Sequence, residues 1–280
     1  MKTAFVLSGG GAKGAFQVGV IKYLCGVKNI VPDIVIGIST GSLQGLAVAQ
    51  QDIDLLESIW KGIKKHSDIY TKSVFNIIKC TLGLRNGIYE FKGLRKILEK
   101  FFDKQKLLNS PVDFYAGKVS LQEAEIVYVN KKDMTIDDIL ASCTIPVFFN
   151  TVDGPFLQWV DGGVRDIIPL KKAIDLGADK IFVILCSPRK PTVSFRRYNN
   201  IVSVLERTLD ILLNEIYIND VEIALKINEV IDKFGSYKHY RKVDITVIEP
   251  DHDISGSLEF DPDKISYGIL HGMQKARSVL

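Results

Sequence analysis

Apolar residues in this chain fall in short runs that alternate with stretches of helical spacing. Runs of strand length occur at Thr3–Leu7, Ile34–Ile36, Phe114–Val119, Ile126–Asn130, Phe156–Val160, Lys180–Cys186 and Val243–Glu249. Between them the spacing predicts helices over Ala15–Val27, Gly41–Gln51 and Asp52–Lys65, the last with Asp52 as its N-cap. A longer helix is predicted over Asn200–Ile231, where Val204, Leu205, Leu209, Leu212, Leu213 and Ile216 form one apolar stripe. A final helix opens on Asp261-Pro262, a favourable N-cap and N1 pair. Strands alternating with helices predict an α/β fold, a parallel sheet with helices on its faces. No repeat, low-complexity stretch or linker divides the chain, and Arg189–Asn200, rich in basic residues, reads as a flexible loop.

Composition narrows the class without naming a function. The 280 residues are enough for a full core, and 25% charged with 46% apolar residues is ordinary for a globular protein. No run reaches the ~18 apolar residues of a membrane span. The opening Met1-Lys2-Thr3 leads straight into a strand, so a secretory leader is not expected. Cysteines at 25, 80, 143 and 186 have neither metal spacing nor a paired framework, so reduced thiols and a cytoplasmic location are expected.

The candidate chemistry lies near the start. Gly37-Ile38-Ser39-Thr40-Gly41 is a G-x-S-x-G elbow after the apolar run Ile34–Ile36. Such an elbow holds a serine on a tight strand-to-helix turn, with glycines where a Cβ would clash. Ser8–Val18 contains the loop Gly9-Gly10-Gly11-Ala12-Lys13-Gly14 between a strand and a helix, and its free backbone N–H groups can hold an anion. A nucleophile beside an oxyanion cradle points to acyl transfer. Only 38 residues precede Ser39, too few for the strands that an α/β-hydrolase lays down before its nucleophile. None of His66, His239, His252 and His271 sits in a turn signature, so the base is sought elsewhere. Asp161 in Trp159-Val160-Asp161-Gly162-Gly163 fits, because a strand run delivers its carboxylate to a bendable turn. The same letters could also serve as an ordinary Asp-Gly-Gly turn.

Four motifs in order resemble those of the patatin-like phospholipases. They are Gly9–Gly14, the elbow Gly37–Gly41, the block Ala141-Ser142-Cys143-Thr144-Ile145-Pro146, and Asp161-Gly162-Gly163. Thr144 stands where alanine is more usual, and Lys13 where many members carry arginine. The resemblance covers about residues 4–173 and implies a three-layer α/β/α fold with a mostly parallel sheet. It further implies a Ser–Asp dyad, with Ser39 as nucleophile, Asp161 as base and Gly10 and Gly11 as oxyanion donors. Gly9, Lys13, Gly14, Gly37, Gly41, Gly162 and Gly163 would support that site. Lys13 would set the loop or meet phosphate. The implied reaction is hydrolysis of acyl esters of lipids or phospholipids, with no cofactor or metal. A single domain over 1–280 is expected, with the motif-bearing core at about 4–173 and a C-terminal extension at about 174–280. A catalytically weak lipid-binding protein that keeps the fold is the alternative.

Two readings of the charge and glycine patterns remain. Gly9, Gly11 and Gly14 also spell G-x-G-x-x-G, but Asp33 precedes the second strand, which is the wrong end for holding a ribose. A nucleotide-binding Rossmann-type enzyme is therefore only a remote alternative. Residues 61–106 hold ten lysines and two arginines against four acids, a net +8 in a chain of net +3. Here Val74, Phe75, Ile77, Ile78, Leu82 and Leu84 are bordered by Lys72, Lys79 and Arg85, a pattern that suits an anionic membrane surface. A solvated basic face over a buried helix would give the same composition. No helix-turn-helix or aromatic RNA-binding pattern accompanies the charge, so nucleic acid is not expected.

Overall fold

The structure is a computed structural model that describes residues 1–190, 193, 195, 197–235 and 240–280. The strands are Thr3–Leu7 (β1), Ile34–Ile38 (β2), Thr71–Lys72 (β3), Gly87–Glu90 (β4), Asp113–Ser120 (β5), Ile126–Asn130 (β6), Val147–Phe149 (β7), Val152–Asp153 (β8), Gln158–Asp161 (β9), Lys180–Ile184 (β10) and Asp244–Ile248 (β11). The helices are Ala15–Ile21 (α1), Thr40–Gln50 (α2), Ile53–Gly62 (α3), Val74–Thr81 (α4), Lys92–Phe101 (α5), Lys104–Asn109 (α6), Ile136–Ser142 (α7), Leu170–Asp175 (α8), Ile201–Phe234 (α9) and Pro262–Val279 (α10).

The main sheet runs β11-β10-β1-β2-β5-β9-β8, with β6 also paired to β5. The five strands from β11 to β5 are parallel, whereas β6 and β9 lie antiparallel on β5. Alternation along the central strands makes both faces apolar. Phe5, Leu7, Val35, Phe114, Phe182 and Ile184 join one core, which α1, α2 and α10 cover. Ala4, Val6, Ile34, Ile36, Ile38, Ile181 and Val183 join a second core, under α8 and part of α9. The result is an α/β/α stack with a mixed, mostly parallel sheet, as the strand–helix alternation predicts. A separate small sheet, β3-β4-β7, lies to one side.

Several local expectations need correction. The strand predicted from Phe156 begins only at Gln158, and Phe156 is 92% exposed on a turn closed by Gly154 N–H on the Leu157 carbonyl at 2.8 Å. Asp52 does precede α3, but its carboxylate makes no cap bond and instead takes the Lys106 ammonium at 3.0 Å. Beyond Ile21 the predicted first helix continues as π-helix over Lys22–Val27. Arg85 does not border the apolar segment. It turns inward to an ion pair with Glu90. Part of the predicted loop Arg189–Asn200 lies outside the described residues, as does His239. Among the described residues no helix is long and apolar enough to cross a membrane.

Candidate active site

Ser39 is the single residue between β2 and α2. Its backbone sits at φ 55° and ψ −127°. Positive φ costs a side-chain-bearing residue about 1–3 kcal/mol, and it persists only where the surroundings hold it. Here the Ser39 N–H donates to the Ser142 hydroxyl at 3.0 Å, and the Ser39 carbonyl accepts from the Ser42 hydroxyl at 2.6 Å. The elbow glycines are set by contact: a Cβ on Gly37 would lie 2.1 Å from the Gly41 carbonyl oxygen, and one on Gly41 would lie 2.3 Å from that of Leu7. Ser39 is thereby held on a rigid backbone at the carboxyl end of the sheet.

Asp161 reaches Ser39 through strand register. Gly117 of β5 pairs with Ile38, and the next residue, Lys118, pairs with Asp161. The last residue of β9 is thus set down beside the first residue past β2. Thr144 accepts the Asp161 N–H at 2.9 Å through its carbonyl, and the Gly163 N–H donates to Asp161 Oδ1 at 2.8 Å within the turn Gly162–Val164. The Ser39 hydroxyl lies close enough to the same carboxylate to favour its charged form. Burial pushes the Asp161 carboxyl up from the ordinary 3.8 to about 7, against the opposing pull of the Ser39 hydroxyl and the Gly163 N–H.

The glycine loop joins β1 to a 3-10 turn, Gly11–Gly14, that feeds α1. Its outer N–H groups are engaged: Gly9 donates to Ile167 at 3.4 Å, Ala12 to Ser257 at 2.8 Å and Lys13 to Gly10 at 3.2 Å, each to a backbone carbonyl. The Gly10 and Gly11 N–H groups have no acceptor among the described residues. Gly11 lies at φ 57°, and a Cβ there would be 2.0 Å from the Ser257 carbonyl oxygen. Behind the loop, the Gln17 side-chain amide donates to the Ser8 carbonyl at 3.0 Å and the Ile184 carbonyl at 2.8 Å, while the Gly14 carbonyl accepts from Gln44. Lys13 is buried and its ammonium meets Asp210 of α9 at 3.2 Å. Asp210 also accepts from the Ser257 hydroxyl at 3.1 Å.

A cavity of about 480 Å³ opens over this cluster, with Gly10, Gly11, Ser39 and Asp161 on one side and Leu209–Ile216 of α9 on the other. A narrower apolar pocket of about 50 Å³ continues past Ser39 between Leu43, Phe91, Phe149 and Phe260. None of the three described histidines lines either space. His66 packs on Tyr70, and His252 and His271 pack on one another. The predicted Ser39, Asp161, Gly10 and Gly11 therefore converge, with the remaining motif glycines shaping their backbone. Sequence reasoning assigned no part to Ser142, although it quoted the motif that contains it. It also missed Asp210, whose pairing with Lys13 bridges 197 residues and leaves no local signal.

The family model for patatin-like phospholipase matches residues 5–174. Lysophospholipase nte1 of Aspergillus niger is 28% identical over 182 residues, which is 64% of this chain and 11% of that protein, so the chain spans only a small part of this relative. Among solved structures, VipD from Legionella pneumophila aligns with a TM-score of 0.48 and 14% identity, over 99% of this chain and 66% of that one.

Proposed function

The chain belongs to the patatin-like phospholipase family, and from that premise we propose that it hydrolyses lipid acyl esters by a Ser39–Asp161 dyad, as a phospholipase A or lysophospholipase. The observation that carries the reading is one cluster: a strained serine lining the same cavity as a buried carboxylate, beside two glycine N–H groups without an acceptor among the described residues. Ser39 Oγ attacks the ester carbonyl carbon while its proton passes to Asp161. The Gly10 and Gly11 N–H groups bond the oxyanion of the tetrahedral intermediate, and each such donor contributes about 10²–10³ in rate. Collapse expels the alcohol part of the lipid, which takes the proton back from Asp161 and leaves acyl-Ser39. Water then attacks the acyl carbon, Asp161 again accepts the proton, and the fatty acid leaves as Ser39 is reprotonated. A carboxyl raised to about 7 is suited to both transfers near neutral pH, where a base of ordinary acidity is weaker.

The two apolar spaces flanking Ser39 support a lipid substrate, and the relative's name supports lysophospholipids within that class. In the same proposal residues 1–280 form one domain, because β10 and β11 complete the sheet and α9 roofs the cavity. A cytoplasmic protein that touches anionic membrane through 61–106 completes it, supported by the basic charge of that segment. A fluorophosphonate probe should give one adduct, on Ser39, and Ser39→Ala should abolish both labelling and fatty-acid release from a phospholipid and lysophospholipid panel read by mass spectrometry. An adduct on Ser42 or Ser142 would overturn the assignment.

A further inference from the structure

The helix α4 is turned inside out. Val74, Phe75, Ile77 and Ile78 are 72%, 75%, 52% and 49% exposed, and Leu82 and Leu84 just beyond its end are exposed as well. Its one buried residue is polar, Asn76. The Asn76 amide donates to Glu90 at 3.4 Å and accepts from Arg85 at 3.1 Å, so the helix is moored by its polar side to the Arg85–Glu90 ion pair. A helix folded against its own core does the reverse. A contiguous exposed apolar patch of this kind marks a surface made for a partner.

We propose that the outward face of α4, with Leu82 and Leu84, inserts into the interfacial layer of an anionic bilayer and presents the catalytic cavity to it. This rests on the reading that the substrate is a membrane lipid. Charge selects the partner. Lys72, just before α4, and Lys79, in its last turn, are exposed and form no ion pair among the described residues, and residues 61–106 as a whole carry a net +8. A segment of such positive charge opposes docking to a basic protein or to a second copy of the same face, and it matches the surface of a leaflet rich in anionic lipid. Position ties the face to the site. The strand after α4, β4, pairs with β7, and β7 begins immediately after Pro146, which lines the cavity over Ser39. Asn86 is also bonded to Thr151 at 2.9 Å, which fixes the segment beyond α4 to the loop after β7. Val147, at the start of β7, is itself exposed. The lysines steer and the apolar side chains hold: the electrostatic part fades over a Debye length of about 8–10 Å as salt rises, whereas the inserted part does not.

The test compares the full chain with Phe75→Ser/Ile78→Ser and with Lys72→Glu/Lys79→Glu. Sedimentation with phosphatidylcholine vesicles containing phosphatidylglycerol, at low and at 0.5 M salt (a value of about 3 Å to 5 Å in screening length), reads binding, and a short-chain nitrophenyl ester reads the intact site. All four side chains are exposed and the cavity over Ser39 does not include them, so soluble-ester rates should stay within about two-fold of wild type. The serine pair should lower vesicle binding at least ten-fold at both salt levels, and the glutamate pair chiefly at low salt. Ser39→Ala should bind vesicles like wild type while releasing no fatty acid. Vesicle binding without lipid hydrolysis by the wild type would sink the enzymatic reading and leave the docking face standing. A wild type that hydrolyses the soluble ester yet binds no vesicle overturns the docking proposal. So does a serine pair that binds like wild type, or self-association that the serine pair abolishes.

Discussion

Replacing Asp161 by Asn should make the protein inactive and, above neutral pH, more stable. The carboxylate is buried, and its proton affinity rises from the ordinary 3.8 to about 7 on folding. The folded chain thus holds this proton more tightly than the unfolded chain does. Stability from the protonated group is complete below pH 3.8 and is lost as pH rises through about 7. At ~1.4 kcal/mol for each unit between the two values, the cost of the buried charge reaches about 4 kcal/mol on the plateau. Asparagine does not titrate, and its side-chain oxygen can still accept from the Gly163 N–H that now binds Oδ1 at 2.8 Å. The difference in unfolding free energy between Asp161→Asn and wild type should therefore be near zero at pH 3.8, widen by ~1.4 kcal/mol per pH unit, and level off above pH 7. Urea unfolding from pH 4 to pH 9 reads that curve. The same substitution should lower kcat by ~10³ or more, on the scale of a lost general base, and wild-type kcat/KM should climb through about pH 7. A flat stability difference would show that Asp161 is not a strained buried carboxylate, and residual activity near wild type would remove it from the reaction.

Three further outcomes are expected. Gly11→Ala should lower kcat on a soluble ester by ~10² or more, because its Cβ would fall 2.0 Å from the Ser257 carbonyl oxygen and drag the loop N–H groups out of line. Lys13→Met should cost about 1.5–3 kcal/mol in urea unfolding, on the scale of a hydrogen bond to a charged group. Adding Asp210→Asn should recover part of that loss, since the orphaned charge goes with it. Each of His66, His239, His252 and His271 changed to Gln should keep ester turnover within a few-fold; one variant as dead as Ser39→Ala would replace the dyad by a triad.

What the sequence made legible, and what it hid, follows from how far each feature reaches along the chain. The elbow around Ser39 and the loop Gly9–Gly14 are legible because their work is local backbone geometry, written in glycines at fixed spacing. Asp161 could be nominated from its strand and turn, but its approach to Ser39 depends on the antiparallel register of β9 on β5, a pairing that no window around residue 161 contains. The parallel strands β1, β2 and β10 are read to within a residue or two because both of their faces are buried and their runs are almost wholly apolar. The small sheet escapes, since Thr71–Lys72 and Val147–Phe149 are too short to show any period. Helix α5 escapes too, because its apolar positions Leu94, Leu98 and Phe101 sit among lysines that draw the eye to charge. The harder limit is α4. Its spacing states that one side is apolar and another polar, and periodicity can state no more. Which side turns inward is decided by Asn76 finding the Arg85–Glu90 pair, and Arg85 read along the chain is simply another surface cation. An amphipathic segment fixes the existence of an apolar face, and only its tertiary partner decides whether that face becomes core or contact surface.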